Sequence, residues 1–378
     1  MPTNGHSYFN PLDEQKARAS SAMREGKYRQ AITLLSEILT QAPQDSDCLL
    51  SRGVAYYQEN RLEEALNDIN QTLVLAPKNG DALFMRANTH ARLGNTDQAL
   101  DDYAQTLLLK PEDEAVYYRR ATVWVALGRI EDAIADYTQA IAIKSKDGSL
   151  YHSRATLHYR MGQFLDAVAD LTQAIAIGYT SAEVYCSRGS AYVQLDELDN
   201  ALEDYTIAVS LDLRHYDARY NRGAVWLQMG NIDRAIADFS GALKINPKHQ
   251  AYYARGTAYL HAGKNLEARR DFGELIKQNP KLTLAYLKRA QAYYRLEKYD
   301  RAEEDLRLVI GRNDSGILNH MLARGWMALV LLAQSRLEEA KTLWAGLLDD
   351  MPRFSQLAWV ETQLGLLSHE TEQLRQLF

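Results

Sequence analysis

Eight arginines recur every 34 residues, with one interval of 33 before Arg255: Arg52, Arg86, Arg120, Arg154, Arg188, Arg222, Arg255 and Arg289. An aspartate follows each of them by sixteen residues: Asp68, Asp102, Asp136, Asp170, Asp204, Asp238, Asp271 and Asp305. A row of carboxylates can do acid–base chemistry or hold a cation. An arginine kept in step with every carboxylate argues against both, because it supplies the counter-charge itself. The pattern predicts Arg–Asp pairs that join two layers of helix, within a repeat or across neighbours, and that hold register more than they add stability. The series is interrupted on either side, where Arg18 goes with Leu34 and Met327 with Leu343.

The histidines, cysteines and short motifs are the other places where chemistry could reside. There is no glycine-rich phosphate loop ending in lysine and serine or threonine, no HExxH, no nucleophile elbow and no dinucleotide fingerprint. His90 and His158 share one buried phase and read as hydrogen-bonded core residues. His152 and His261 fall on a phase that faces inward, three repeats apart, too far for a shared metal. His215 and His249 fall in turns, and His6, His320 and His369 have no motif around them. Cys48 lies near a helix start, and Cys186 has no histidine neighbour in sequence. Neither is expected to catalyse. No enzyme activity, cofactor or metal is expected.

The elements that place these residues come from a repeat. With Ser46 as position 1 of a 34-residue unit, small residues occupy positions 8 and 20: Gly53 and Ala65, Ala87 and Ala99, Ala121 and Ala133, and onward to Ala290 and Ala302. Larger residues at positions 4, 11 and 24, such as Tyr117, Trp124 and Tyr137, fill around that contact. Glycines at Gly94, Gly128, Gly162, Gly230 and Gly263 suit the left-handed end of a first helix. Prolines at Pro43, Pro77, Pro111, Pro247, Pro280 and Pro352 follow a second helix. Units are expected to begin at residues 12, 46, 80, 114, 148, 182, 216, 249, 283 and 321, the last after a four-residue insertion. They make ten units over residues 12–354, after an N-terminal tail of residues 1–11 and before a capping helix in residues 355–378. Position 32 departs from proline at Ser145, Tyr179, Leu213 and Asp314. One hairpin cannot bury its apolar face alone, so neighbours must stack.

This pattern resembles the tetratricopeptide repeat family, in the style of its stand-alone bacterial members, over about nine tenths of the chain. The resemblance implies an all-α fold, a right-handed superhelical solenoid of helix–turn–helix units. It also implies a concave face lined by positions 2, 5, 9, 12 and 13 of each first helix. Those positions hold Tyr57, Phe84, Tyr118, Tyr159, Tyr220, Tyr253 and Tyr294, with Asn88, Arg92, His152, Thr156, Arg160, Gln194, Gln228, Gln291 and Arg295 among them. Rings between hydrogen-bonding side chains suit an extended peptide or a partner helix. The implied function is a protein–protein interaction scaffold or adaptor that holds a peptide segment or partner protein in the groove. The alternative is a structural, self-assembling subunit that uses the repeat ends or the outer face.

Several partners are disfavoured. The two-carboxylate clamp of co-chaperones needs lysine and asparagine, then asparagine, then lysine and arginine, at set positions of three units. The first triplet here reads Lys16, Ser20, Ser51, Asp81 and Met85. Around Asn221 stand Cys186, Ser190, Gln250 and Ala254. Carboxylate-clamp tail binding is not expected. The formal net charge is −6, and the inward cations Lys16, Arg24, Arg92, Arg160 and Arg295 are offset by Asp13, Asp47, Asp81, Glu183 and Asp217, so nucleic acid is not expected. The longest apolar run, near residues 325–333, is too short to span a bilayer. Two cysteines and no visible leader suit a reducing, cytoplasmic setting. At the C-terminal end, Leu357, Trp359, Leu364, Leu367, Leu374, Leu377 and Phe378 could cover the last repeat or join two copies as a homodimer.

Overall fold

A computed structural model describes residues 11–312 and 316–377. All regular structure among them is helical, and the chain divides into two compact units, Met1–Thr180 and Ser181–Phe378. The first unit holds five helical hairpins. These are α1 (Pro11–Arg24) with α2 (Tyr28–Gln41), α3 (Ser46–Gln58) with α4 (Leu62–Leu75), α5 (Gly80–Leu93) with α6 (Thr96–Leu109), α7 (Glu114–Ala126) with α8 (Ile130–Ile143), and α9 (Gly148–Arg160) with α10 (Phe164–Ala176). The second unit holds five more. These are α11 (Ala182–Gln194) with α12 (Leu198–Leu211), α13 (Tyr216–Gln228) with α14 (Ile232–Ile245), α15 (His249–His261) with α16 (Asn265–Gln278), α17 (Thr283–Arg295) with α18 (Tyr299–Ile310), and α19 (Ile317–Ala333) with α20 (Leu337–Asp350).

Local chemistry sets these boundaries. The side chains of Asp45, Asn79, Asp113, Asp147 and Ser181 accept hydrogen bonds from backbone N–H groups in the first turn of the helix that follows. His215 does the same with a ring nitrogen, accepting from the Ala218 N–H at 3.1 Å. This cap was not foreseen, because histidine is a rare choice there. The turn inside each hairpin needs one residue with positive φ. Glycine supplies it at Gly94 (+79°) and Gly128 (+74°). Asn60, Asp196, Glu297 and Ser335 take the same conformation without glycine, at 57–64°.

Each core is a stack of close helix contacts. A Cβ on Gly53 would lie 2.9 Å from Ile69 and 3.3 Å from the Ala65 carbonyl oxygen, and one on Gly256 would lie 2.9 Å from Phe272. Tyr103 in the first unit, and Tyr205, Phe239 and Phe272 in the second, fill the space beside such contacts and are fully buried. Each such ring contributes about 1.5–3 kcal/mol by its removal from water.

The four-residue insertion before Met321 is helical: residues 317–320 add one turn to the start of α19. Two expectations need correction or fall outside the described residues. The single capping helix is two. A 3₁₀ turn, Pro352–Ser355, leads to α21 (Leu357–Leu364), and Gly365 at φ +63° breaks the chain before α22 (Ser368–Leu374). The N-terminal tail through residue 10, His6, Asp314 and Phe378 lie outside the described residues, and Pro11 already begins α1.

Candidate partner-binding faces

All eight arginine–aspartate pairs are formed, each within its own hairpin. The geometry is bidentate: Nε and Nη2 of each arginine donate to the two carboxylate oxygens at 2.7–2.9 Å. The aspartates are buried. Burial pushes the Asp271 and Asp305 carboxyls up, and the facing guanidinium draws them back. The rings at positions 4 and 11 flank the guanidinium, as with Arg255 between Tyr252 at 5.9 Å and Tyr259 at 5.7 Å.

The bond between neighbouring repeats is of another kind. The third nitrogen, Nη1, reaches back to a neutral acceptor on the preceding second helix. Arg52 donates to Ser36 at 3.1 Å, Arg86 to Asn70 at 3.1 Å, and Arg154 to Thr138 at 2.9 Å. In the second unit Arg222 donates to Thr206 at 3.3 Å and Arg255 to Ser240 at 3.1 Å. The matching residues for Arg120 and Arg289 are Ala104 and Gly273, which offer no side-chain acceptor.

Inward residues of the first unit form a partly exposed surface. Phe84 rests on Tyr103 at 6.1 Å and Tyr118 on Tyr137 at 5.8 Å, each from position 5 onto position 24 of the same hairpin. Tyr159 meets Phe164 edge-on at 5.3 Å, and His152 lies 6.2 Å from Tyr179. Thr156 and Arg160 are exposed. Arg92 stacks over Tyr57 at 4.6 Å, and its Nη2 donates to Asn60 at 2.6 Å, so it is committed to the neighbouring hairpin. Asn88 is buried and accepts from the Tyr103 hydroxyl at 2.7 Å, which makes it a core residue and not a contact residue.

In the second unit Tyr220 rests on Phe239 at 5.7 Å and Tyr253 on Phe272 at 6.2 Å, both half-buried, while Gln194 and Gln228 are exposed. The position-5 rings thus serve the hairpin as well as its surface: they cover the position-24 ring with one side and face solvent with the other.

Tyr294 departs most from expectation. It is buried, and the chain's own later segment buries it. The Tyr294 hydroxyl donates to Gln373. Arg295 Nε donates to Glu370 Oε1 at 2.9 Å and Nη2 to the Gly365 carbonyl at 2.8 Å, an ion pair with side chains 8% and 0% exposed. Gln291 is buried as well. Leu364 and Leu374 are buried in the same cluster, with Leu357, Trp359 and Leu377 against it, and Leu367 remains exposed. The inner face of α17 is thus occupied by this chain.

The remaining candidates have structural surroundings. His90 and His158 are half-buried and bond Asn95 at 3.4 Å and Gln163 at 2.7 Å. Burial pushes the Cys48 thiol up to about 11 and the Cys186 thiol up to about 12, so both stay protonated at neutral pH. Cys186 is buried, although its phase points inward. Lys16 pairs with Asp45 at 2.5 Å. Among the described residues no group of three or more His, Cys, Asp or Glu could hold a metal, and no helix is long and apolar enough to cross a membrane.

Comparison with known proteins agrees with the hairpin pattern. The tetratricopeptide repeat profile matches residues 16–82, 84–148, 186–250, 253–317 and 287–345, well over half of the chain. No curated protein matches. Among solved structures, YrrB, described as a TPR protein with an unusual peptide-binding site, is 21% identical over 48% of this chain and 95% of its own, with a TM-score of 0.44. MamA is 26% identical over 44% and 92%, with a TM-score of 0.42. A tetratricopeptide repeat protein from Parabacteroides merdae is 20% identical over 65% and 98%, with a TM-score of 0.46. With paired helices at the repeat's spacing, small residues at their contacts and a profile match along most of its length, this chain belongs to the tetratricopeptide repeat family.

Proposed function

We propose that the chain is a protein-interaction scaffold whose first helices hold a peptide segment or a helix of a partner protein. One observation carries this reading. Tyr118 and Tyr159 in the first unit, and Tyr220 and Tyr253 in the second, are half-exposed rings, each seated on a second ring beneath it. A ring held this way offers contact area with little rotamer freedom left to lose on binding. Arg160 lies beside Tyr159 in the first unit, and Gln194 and Gln228 lie on the same face in the second. They would orient the partner's backbone. Phe84 and His152 would extend the first surface, with Tyr57 reached only past Arg92.

The test is affinity capture from the native cell with the wild type and with Tyr118, Tyr159 and Tyr220 changed to alanine. A specific partner should fall at least tenfold in recovery with the folded variant, in line with loss of several aromatic anchors. Equal recovery of every partner would move the site elsewhere. A specific observation favours the outer face as second reading: Val74 and Leu108 hold the same phase of α4 and α6 and are 80% and 84% exposed. Changing both to lysine would then lower the mass in solution or release the partner.

A further inference from the structure

The second unit contains a recess that the tyrosine surfaces do not use. Thr257 and His261 of α15, Lys288, Gln291 and Arg295 of α17, and residues 364–367 enclose a cavity of about 240 Å³. That is smaller than the roughly 300–1,000 Å³ of sites that hold drug-sized ligands, so the occupant is small or is the end of a chain. Leu364, Leu366 and Leu367 make one wall apolar.

The charges do not balance. Arg295 is matched by Glu370. Lys288 donates to the Gln291 side-chain oxygen Oε1, at 3.3 Å, and has no carboxylate within ion-pair distance among the described residues. Burial first and the Arg295 charge second bring the Lys288 ammonium below its usual range, and His261 is lowered by burial too. The Thr257 hydroxyl is buried beside the Tyr253 side chain, short of good hydrogen-bond geometry. The recess therefore holds one uncompensated positive charge and one buried hydroxyl beside an apolar wall. A partly buried cation in such a place is costly until an anion joins it.

We propose that this recess binds the carboxylate of a small apolar acid, with Lys288 as counter-charge, Thr257 as hydroxyl donor and the leucine wall against the aliphatic part. A single net positive charge matches a monoanion and leaves a dianionic phosphate half uncompensated. Two sources share this chemistry: a free branched-chain acid, and the carboxylate of a peptide that ends in an apolar residue. None of the tyrosine rings lines the recess, and Tyr253 touches it only through Thr257, so the inference stands apart from the tyrosine faces.

Calorimetric titration of the full chain with 4-methylpentanoate, N-acetylleucine and N-acetylleucinamide tests it. At least one acid should saturate a single site, the amide should bind at least tenfold more weakly, and Lys288→Gln should weaken the acid at least tenfold. Tighter binding of 4-methylpentanoate assigns a free acid, and tighter binding of N-acetylleucine assigns a chain terminus. Equal affinity of acid and amide, unchanged affinity in a folded Lys288→Gln, or no saturation by either acid at about 10 mM, above the range of weak specific binding, overturns the proposal. If Lys288→Gln does not fold, the contrast between acid and amide on the unaltered chain decides.

Discussion

The hairpin α9–α10 and the hairpin α19–α20 are built on the same repeat but finished in opposite ways. In the first, Arg154 and Asp170 form a bidentate pair, Arg154 also reaches Thr138, and the inner face leaves Tyr159 half-exposed and Arg160 in solvent. In the second, Met327 and Leu343 replace the pair, and a cleft of about 550 Å³ lined by them, Leu331, Thr342, Glu303 and Arg336 opens at that corner. The matching corner at Arg52 and Asp68 leaves about 290 Å³. The side of α19 away from that cleft is covered: a Cβ on Gly325 would lie 3.1 Å from Leu364 and 3.4 Å from Phe354. Trp326, Trp344 and Phe354 fill the core there. The ion pairs supply direction that apolar packing lacks. Successive hairpins present nearly the same apolar surface to one another, and apolar contact has no direction. A planar guanidinium fixed on one carboxylate and one neighbouring acceptor admits a single register. Where a segment of unique shape covers the last hairpin, Trp326, Trp344 and Phe354 set the fit by volume and the charged pair is dispensable.

The largest test of this contrast is Arg154→Leu. It leaves Asp170 buried without its counter-charge and should cost about 3–5 kcal/mol, read as a fall in the urea midpoint of the first unit. Arg154→Leu with Asp170→Leu together should recover most of that loss. A single variant as stable as the wild type would mean that Asp170 does not need its counter-charge.

A smaller effect is expected at the covered inner face. Glu370→Gln keeps the shape but removes the charge facing Arg295, which is worth about 2 kcal/mol for a hydrogen bond to an ionised group. Amide exchange should rise in residues 366–377 while the α9–α10 hairpin keeps its protection. Faster exchange in both regions would mean that the segment is not a local cover.

The smallest effect sharpens the account of register. Thr138→Val removes the acceptor for Arg154 between repeats and should cost about 1 kcal/mol. Ala104→Ser, at the matching place before Arg120, should add a fraction of that. Melting midpoints of the two variants should move in opposite directions. Equal shifts would remove the inter-repeat bond from the argument.

Much of this was legible from residue types and spacing. The 34-residue period, the small residues at positions 8 and 20, the hairpin glycines and the arginine–aspartate pairing are local or strictly periodic. Each follows from what a helix contact, a left-handed turn or a buried charge requires at one position, repeated in every unit. The hairpins and the inward phase of their first helices could therefore be read from residue types alone. It did not reveal which inward residues stay free, because a phase on a helix tells where a side chain points and not what lies over it. Asn88 points inward and is taken by Tyr103. Tyr294 and Arg295 point inward and are taken by Gln373 and Glu370, residues 79 and 75 positions later in the chain. Only the tertiary structure decided that, since a contact made once, between a repeat and a segment outside the repeat, leaves no period to read. The same fold-back brings Leu364 and its neighbours to Lys288, and so makes the acid-sized recess that no single helix encodes.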